Sequence, residues 1–283
     1  MACQRGEPSM LEIPESCNLA EQINSHLVGK TIVKVTVNSS PHKFAWLNKN
    51  LNDYVLRLSG KQIDNAFARG GMVEVIIGPD KLVFSDGVSL RYSATKADLP
   101  PKHQLLLEFA NGAFLSASVQ MYGGLFLLIN GKTDDPYYLR SVEKPSPLTD
   151  EFNEKYFQNL LLKSPAEKLS VKAFLTTEQR IPGLGNGTLQ DILFNAGLSP
   201  KRKLNTLSGE EKKILFTAVK STLKKMSDHG GRNTETDLFG HPGGYDVILC
   251  SKKAESGCPK CGTAIVKEAY MGGSVYYCPS CQK

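Results

Sequence analysis

Four cysteines near the carboxyl end carry the clearest chemistry in the chain. They form two Cys-x-x-Cys pairs, Cys258-Pro-Lys-Cys261 and Cys278-Pro-Ser-Cys281, with sixteen residues between them. Each pair bends tightly enough for both sulfurs to face one point, and two pairs at this separation can close on a single tetrahedral ion. Four thiolates leave no open position for water, so the expected ion is one structural Zn2+. The intervening residues read as two short strands, 264–267 and 274–277, around Met271-Gly272-Gly273. A hairpin this small buries too little apolar surface to fold alone, so its folding should depend on the metal. Two disulfides or four unrelated thiols are the alternative.

The second chemical stretch is Ile181-Pro-Gly-Leu-Gly-Asn-Gly-Thr188, where Gly183, Gly185 and Gly187 surround Asn186 at a helix start. Glycines remove side-chain bulk, so backbone N–H groups at the head of the helix can approach a phosphate. Asn186 can cap the helix or donate to a phosphate oxygen. By itself a glycine-rich helix start is as readily a tight turn.

The rest of the chain must position these stretches. At 283 residues it has room for two compact domains and an appendage, and 41% hydrophobic with 22% charged residues is ordinary for a globular protein. A net charge of +6 and a pI near 8.8 permit a nucleic-acid partner. Four metal-binding cysteines leave Cys3, Cys17 and Cys250 as three unmatched thiols, which points to a reducing compartment. Residues 1–10 form an irregular leader without the apolar run of a signal peptide, and no stretch is long enough to span a membrane. Hence a cytoplasmic monomer is expected.

A helical pattern runs on from Leu11-Glu-Ile-Pro-Glu15, with Leu19, Ile23 and Leu27 on one face and Gly29 beyond it. Strands are expected over 31–37, 72–77, 81–85, 104–109, 113–118 and 124–129, with turn signals at Gly78-Pro79-Asp80 and Asn111-Gly112. Short strands at this spacing argue a β-sandwich or barrel over 11–142. Glu143-Lys-Pro-Ser-Pro-Leu148 reads as a linker within 143–149, and helices take over from 150 to 249. Ser164-Pro-Ala-Glu167 should start one helix and Ser208-Gly-Glu-Glu211 another, the latter burying Ile214, Leu215, Val219 and Leu223. Residues 228–250 read as an ordered loop, and 250–283 as the cysteine finger. The fold class is α+β, multidomain.

Taken together, Leu11-Glu-Ile-Pro-Glu15, the Gly-x-Gly-Asn helix entry and the four-cysteine hairpin resemble, in order, the formamidopyrimidine-DNA glycosylase / endonuclease VIII family. The resemblance covers essentially everything after residue 10. It implies a β-sandwich, a helix–two-turn–helix domain and a zinc finger, binding lesion-bearing or abasic double-stranded DNA in the cleft between domains and everting the damaged nucleotide. It implies that Asn186, Gly185 and Lys172 grip a phosphate, that Glu12 is the catalytic acid, and that Glu15 is a second acidic residue of the same motif. For Lys172 a solvated helix charge is the alternative, and for the glutamates a helix-start role.

The departures from the family pattern matter as much. The family's nucleophile is an amino-terminal proline, and Leu11 stands in its place. An internal amide nitrogen has its lone pair delocalised and is no nucleophile, so Schiff-base lyase chemistry should be lost. Gly71 falls where a first-domain lysine is usual, with Arg69 nearby. Gly273 falls where a hairpin arginine binds phosphate. Met121 and Tyr122 fall where the family has its void-filling loop, and can wedge into the stack or pack at a sheet edge. The implied function is a base-excision-repair glycosylase, monofunctional if active, with Glu12 activating water or stabilising the sugar cation. A non-enzymatic lesion-binding protein is the second reading. A zinc ribbon that binds RNA or another protein is the third. Thr234, Asp237 and Tyr245 lie in a loop that the resemblance places near the lesion pocket, and His229 and His241 are expected at the surface or as caps.

Overall fold

A computed structural model describes residues 10–163 and 166–283. The amino-terminal half is built from α1 (Ile13–His26), β1 (Ile32–Val37), β2 (Ala45–Leu47), α2 (Leu51–Leu58), β3 (Asn65–Arg69), β4 (Met72–Ile77), β5 (Asp80–Phe84), β6 (Val88–Ser93), β7 (Leu105–Phe109), β8 (Phe114–Val119) and β9 (Gly123–Leu128). The strands form a four-stranded sheet, β1-β7-β8-β6, and a five-stranded sheet, β2-β9-β5-β4-β3. Their inner faces, with α1 and α2, enclose one apolar core that includes Ile23, Tyr54, Val75, Phe84, Leu107 and Leu125. Gly78-Pro79 and the 110–113 segment close the hairpins that the turn residues predict, pairing Ile77 with Asp80 and Glu108 with Phe114.

The helical half contains α3 (Pro136–Glu143), α4 (Glu154–Leu162), α5 (Val171–Thr176), α6 (Asn186–Ala196) and α7 (Gly209–Asp228), and then the hairpin β10 (Val266–Tyr270) and β11 (Gly273–Tyr277). Met271 and Gly272 both take positive φ, 51° and 75°, which is the backbone a two-residue hairpin turn with right-handed strand twist requires. Ser208 caps α7 through the Glu211 N–H, as its capping box predicts. A second core gathers Phe152, Phe157, Phe174, Leu189, Leu215 and Leu223.

Several expectations need correction. Ser164 and Pro165 lie outside the described residues. Beyond them stands a single 3-10 turn, Ala166–Lys168, and the helix proper begins at α5, where Ser170 accepts the Ala173 N–H. Ile214 is 41% exposed, because one residue is about 100° of helix rotation and carries it off the buried ridge that Leu215 begins. The elements α2, α3, β2, β3 and β6 do not stand out in the sequence, being short or carrying mixed polar and apolar residues. Cys250 is disulfide-bonded, so it is not an unmatched thiol; Cys3 lies outside the described residues, and Cys17 is free.

The two halves share elements. Helix α1 contributes Leu19 and Ile23, and its cap Leu27, to the sandwich core but Ile13 to the helical one. The 228–250 loop sends Leu238 back into the sandwich core, where Phe239 packs edge-on to His26 and Tyr92. The chain thus crosses repeatedly between halves, and those crossings frame the site.

Candidate nucleic-acid interface and buried carboxylate seam

Helix α6 organises the site. Its cap residue, Gly185, and the next residues leave backbone N–H groups without intrahelical acceptors. The anion that meets them belongs to this same chain. The Glu12 carboxylate accepts from Gly185 N–H at 3.1 Å, Gly187 N–H at 2.8 Å and Thr188 N–H at 2.8 Å. Arg232 adds a fourth donor at 3.5 Å. A carboxylate offers about four acceptor positions, so Glu12 is saturated.

This explains the glycines differently from a phosphate cradle. A Cβ at Gly185 would lie 2.6 Å from the Glu12 carboxylate, and one at Gly187 only 1.5 Å from the Arg232 guanidinium. Gly183 takes φ +78° and packs on Gly70 and Gly71. A Cβ at Gly71 would in turn lie 2.7 Å from the Leu11 carbonyl oxygen. A lysine there would collide with backbone, so its absence belongs to the same close approach. Arg69 instead pairs with Glu74 at 3.2 Å.

Glu15 completes the seam. It accepts from Arg232 through the backbone N–H, Nε and Nη2, at 3.0, 2.9 and 2.8 Å, and from Glu12 N–H at 3.2 Å. Arg232 is 3% exposed. Burial works against its charge, but Glu12, Glu15 and Glu235 outweigh burial and hold it well above its ordinary value. Arg232 also donates to the Met10 carbonyl at 3.2 Å, while Met10 N–H donates to Glu235. Leu11 is 5% exposed, joined to Met10 by an ordinary amide and packed in the sandwich core. Sequence reasoning missed Arg232. The available signal was a lone arginine after the Gly230-Gly231 pair in a loop otherwise poor in basic residues.

The other side of α6 faces the hairpin. Asn186 donates through Nδ2 to the Ser274 carbonyl at 2.8 Å, and its Oδ1 accepts from Lys172 Nζ at 2.9 Å. Lys172 also donates to the Tyr270 carbonyl at 2.6 Å. It is 2% exposed, which excludes a solvated helix charge, and burial lowers its pKa. Gln190 clamps the same hairpin, donating to Ser274 O and accepting from Tyr276 N–H. Gly273 thus sits against Asn186, whose side chain would be 3.3 Å from an added Cβ.

Beyond this seam the four cysteine sulfurs lie within 4.8 Å of one another. Three separations are 3.4, 3.5 and 3.8 Å, close to the edge of about 3.8 Å implied by Zn–S bonds of about 2.3 Å in a tetrahedron. Backbone N–H groups of Lys260 and Cys281 donate to Cys258 and Cys278 sulfur, each at 3.4 Å, as anionic thiolates require. The donor set fits a thiophilic metal ion. Phe194 of α6 and Tyr276 pack against Cys258 and Cys278.

Met121 and Tyr122 occupy the loop between β8 and β9. Met121 is 46% exposed, and the Tyr122 ring lies 6.1 Å from Trp46, which the sequence does not single out. Asp237 caps its own loop, accepting from Phe239 and His241 N–H. Tyr245 is buried and bonded to Asp191, whose carboxyl burial pushes up to about 6 despite N–H donors from Ile248 and Leu249. Thr234 is half-buried. His229 sits at the C-terminus of α7, and His241 is exposed.

A β-sandwich joined to a helix–two-turn–helix, with a cysteine hairpin on the second helix, defines a known class. Residues 144–237 match the family model for the formamidopyrimidine-DNA glycosylase H2TH domain. The chain is 28% identical over 287 residues to the formamidopyrimidine-DNA glycosylase of Lactococcus lactis subsp. cremoris, covering 97% of this chain and all of the relative. It is 27% identical to that of Carboxydothermus hydrogenoformans, again over 97% of this chain and all of the relative. Among solved structures it is similar to Lactococcus lactis Fpg in complex with DNA containing an abasic site, with a TM-score of 0.79 and 26% identity over 96% of this chain and 99% of that one. The MutM (Fpg) protein of Thermus thermophilus shares the fold, with a TM-score of 0.77 at 22% identity over 96% and 98% of the two chains. The domain match, the near full-length relatives and the solved structures together support the formamidopyrimidine-DNA glycosylase / endonuclease VIII family for this chain.

Proposed function

We propose that this protein is a base-excision-repair DNA glycosylase that binds lesion-bearing or abasic duplex DNA and releases the damaged base by a water-mediated route, without strand cleavage through a Schiff base. The supporting observation is the near full-length likeness to glycosylases, one of them solved on abasic-site DNA, in a chain whose position 11 is a buried leucine amide. One structural Zn2+ on Cys258, Cys261, Cys278 and Cys281 holds the hairpin against α6. Asn186 and Lys172 present the phosphate contacts, while the Gly185 N–H stays with Glu12, and Met121 and Tyr122 fill the gap left by the everted nucleotide. The Glu12 carboxylate stabilises the developing sugar cation electrostatically, and Glu15 fixes Arg232 behind it. Residues 143–149 link the two domains, and the protein acts as an intracellular monomer.

The test is a panel of duplex oligonucleotides carrying different lesions, scored separately for binding, base release and nicking. The expected result is base release without nicking and no covalent adduct on borohydride treatment. Lesion binding with no base release from any substrate would favour a non-enzymatic recognition protein, the second reading that the missing proline, lysine and arginine support. A trapped adduct would show that another amine has taken over.

A further inference from the structure

We propose that Asp86, with Tyr137 holding it, is the carboxylate that activates water in the cleft. The inference rests on the glycosylase reading above and adds a catalytic residue to it. It begins from Glu12. Three helix N–H groups and a guanidinium occupy its acceptor positions, so taking a proton from water would break a cap of α6. Glu15 is consumed in the same way. Glu235 is engaged by Met10 and Arg232, and a further carboxylate near enough to feel the Glu12 charge is Asp86.

Asp86 lies in the turn between β5 and β6, and the turn is pinned rather than loose. Ser85 exchanges hydrogen bonds with Gly124, N–H to carbonyl at 3.0 Å and Oγ from N–H at 2.8 Å. Gly87 takes φ +71° with the Tyr122 carbonyl where a Cβ would stand. From α3, Tyr137 reaches across, its hydroxyl 3.2 Å from each Asp86 oxygen. The Tyr137 hydroxyl and the Asp86 backbone N–H satisfy two of about four acceptor positions, so Asp86 keeps the others for water. The titratable groups facing it are Tyr137, Glu12 and Tyr122. Burial raises the Asp86 pKa; its own backbone N–H and Tyr137 oppose that, and the Glu12 charge adds to it. A general base with a raised pKa abstracts protons more effectively near neutral pH. Helix α3 carries Tyr137 next to Gln179, which donates to Ser141 on the same helix, so the pair is braced from the helical half.

The step balances without a further reagent. Water oxygen bonds to the sugar C1′ as Asp86 takes one water proton. The C1′–N bond breaks with its electron pair leaving on the base, which takes a proton from solvent. Asp86 then returns its proton to solvent.

The experiment uses the zinc-loaded full chain and the lesion duplex it cleaves best. Asp86→Asn should lower single-turnover base release by about 10²-fold or more while changing duplex affinity little. Tyr137→Phe removes a donor to the charged form, so the acidic limb of the rate profile should move to higher pH. Without turnover, wild type should prefer a duplex with a cationic pyrrolidine in place of the sugar over one with tetrahydrofuran, and Asp86→Asn should weaken that preference, with Glu12 supplying what remains. Asp86→Asn releasing base at the wild-type rate would overturn the assignment and leave the glycosylase reading intact. Wild type that binds lesions yet releases no base would overturn both.

Discussion

Two seams meet on the first turn of α6, and they are built from opposite materials. Toward the sandwich, backbone N–H groups meet Glu12, with Arg232 and Glu15 locked behind it. Toward the hairpin, the side chains of Asn186, Gln190 and Lys172 meet neutral carbonyls of Tyr270 and Ser274. Charges buried in pairs are costly to separate, whereas a neutral carbonyl is readily exchanged for a better acceptor. The first seam therefore fixes the two halves, and the second is the one where the proposed phosphate contact would be made. The glycines around Asn186 serve the fixed seam, and the asparagine itself serves the exchangeable one.

The largest expected effect comes from breaking the charged seam on one side. Arg232→Met leaves Glu12 and Glu15 buried without their cation and should cost about 3–5 kcal/mol in urea unfolding. Adding Glu12→Gln and Glu15→Gln should recover much of that loss; a single variant costing little would show that the seam is held by packing alone. Metal removal comes next. A strong chelator should abolish amide protection in β10 and β11 and weaken DNA binding, while the N–H groups of Gly187 and Thr188 stay protected. Loss of protection on both sides of α6 at once would make the two seams one unit. Asn186→Ala removes two hydrogen bonds at the exchangeable seam and should cost about 1–2 kcal/mol of stability, with a fall in duplex affinity at every sequence. The smallest structural effect is expected for Gly273→Arg. It should change stability by about 0.5 kcal/mol or less yet steepen the dependence of log affinity on log salt by about one ion. An unchanged slope would mean that the hairpin turn does not face the backbone of the duplex.

The cysteine site was legible because ligand type and spacing state the geometry almost outright: two short pairs can meet at a point in few other ways. The hairpin turn, the α7 capping box and the pair β4 and β5 on either side of Gly78-Pro79 were legible for the same reason, since each is written in neighbouring residues. Ser164-Pro-Ala-Glu167 shows the limit of such signals. The pattern has a helix-start grammar, but a 3-10 turn comes after it and Ser170 begins the helix, because Lys172 and Val171 must face the hairpin and the core. Lys172 itself looked like a surface charge or a phosphate contact. Only the folded structure shows it buried against Tyr270, which removes the first of the two.

Residues read along the chain settle local matters: the cysteine cluster, the turns, the period of each buried face and the presence of leucine, with no secondary amine, at position 11. Long-range packing settles what each carboxylate is for. Glu12, Glu15 and Asp86 are the same kind of group in the one-dimensional chain. Glu12 is saturated by a helix that begins 173 residues later and Glu15 by an arginine 217 residues away, while Asp86 keeps open acceptor positions beside Tyr137. Hydrogen bonding and burial depend on what folding brings within about 3 Å, and no spacing along the chain encodes that.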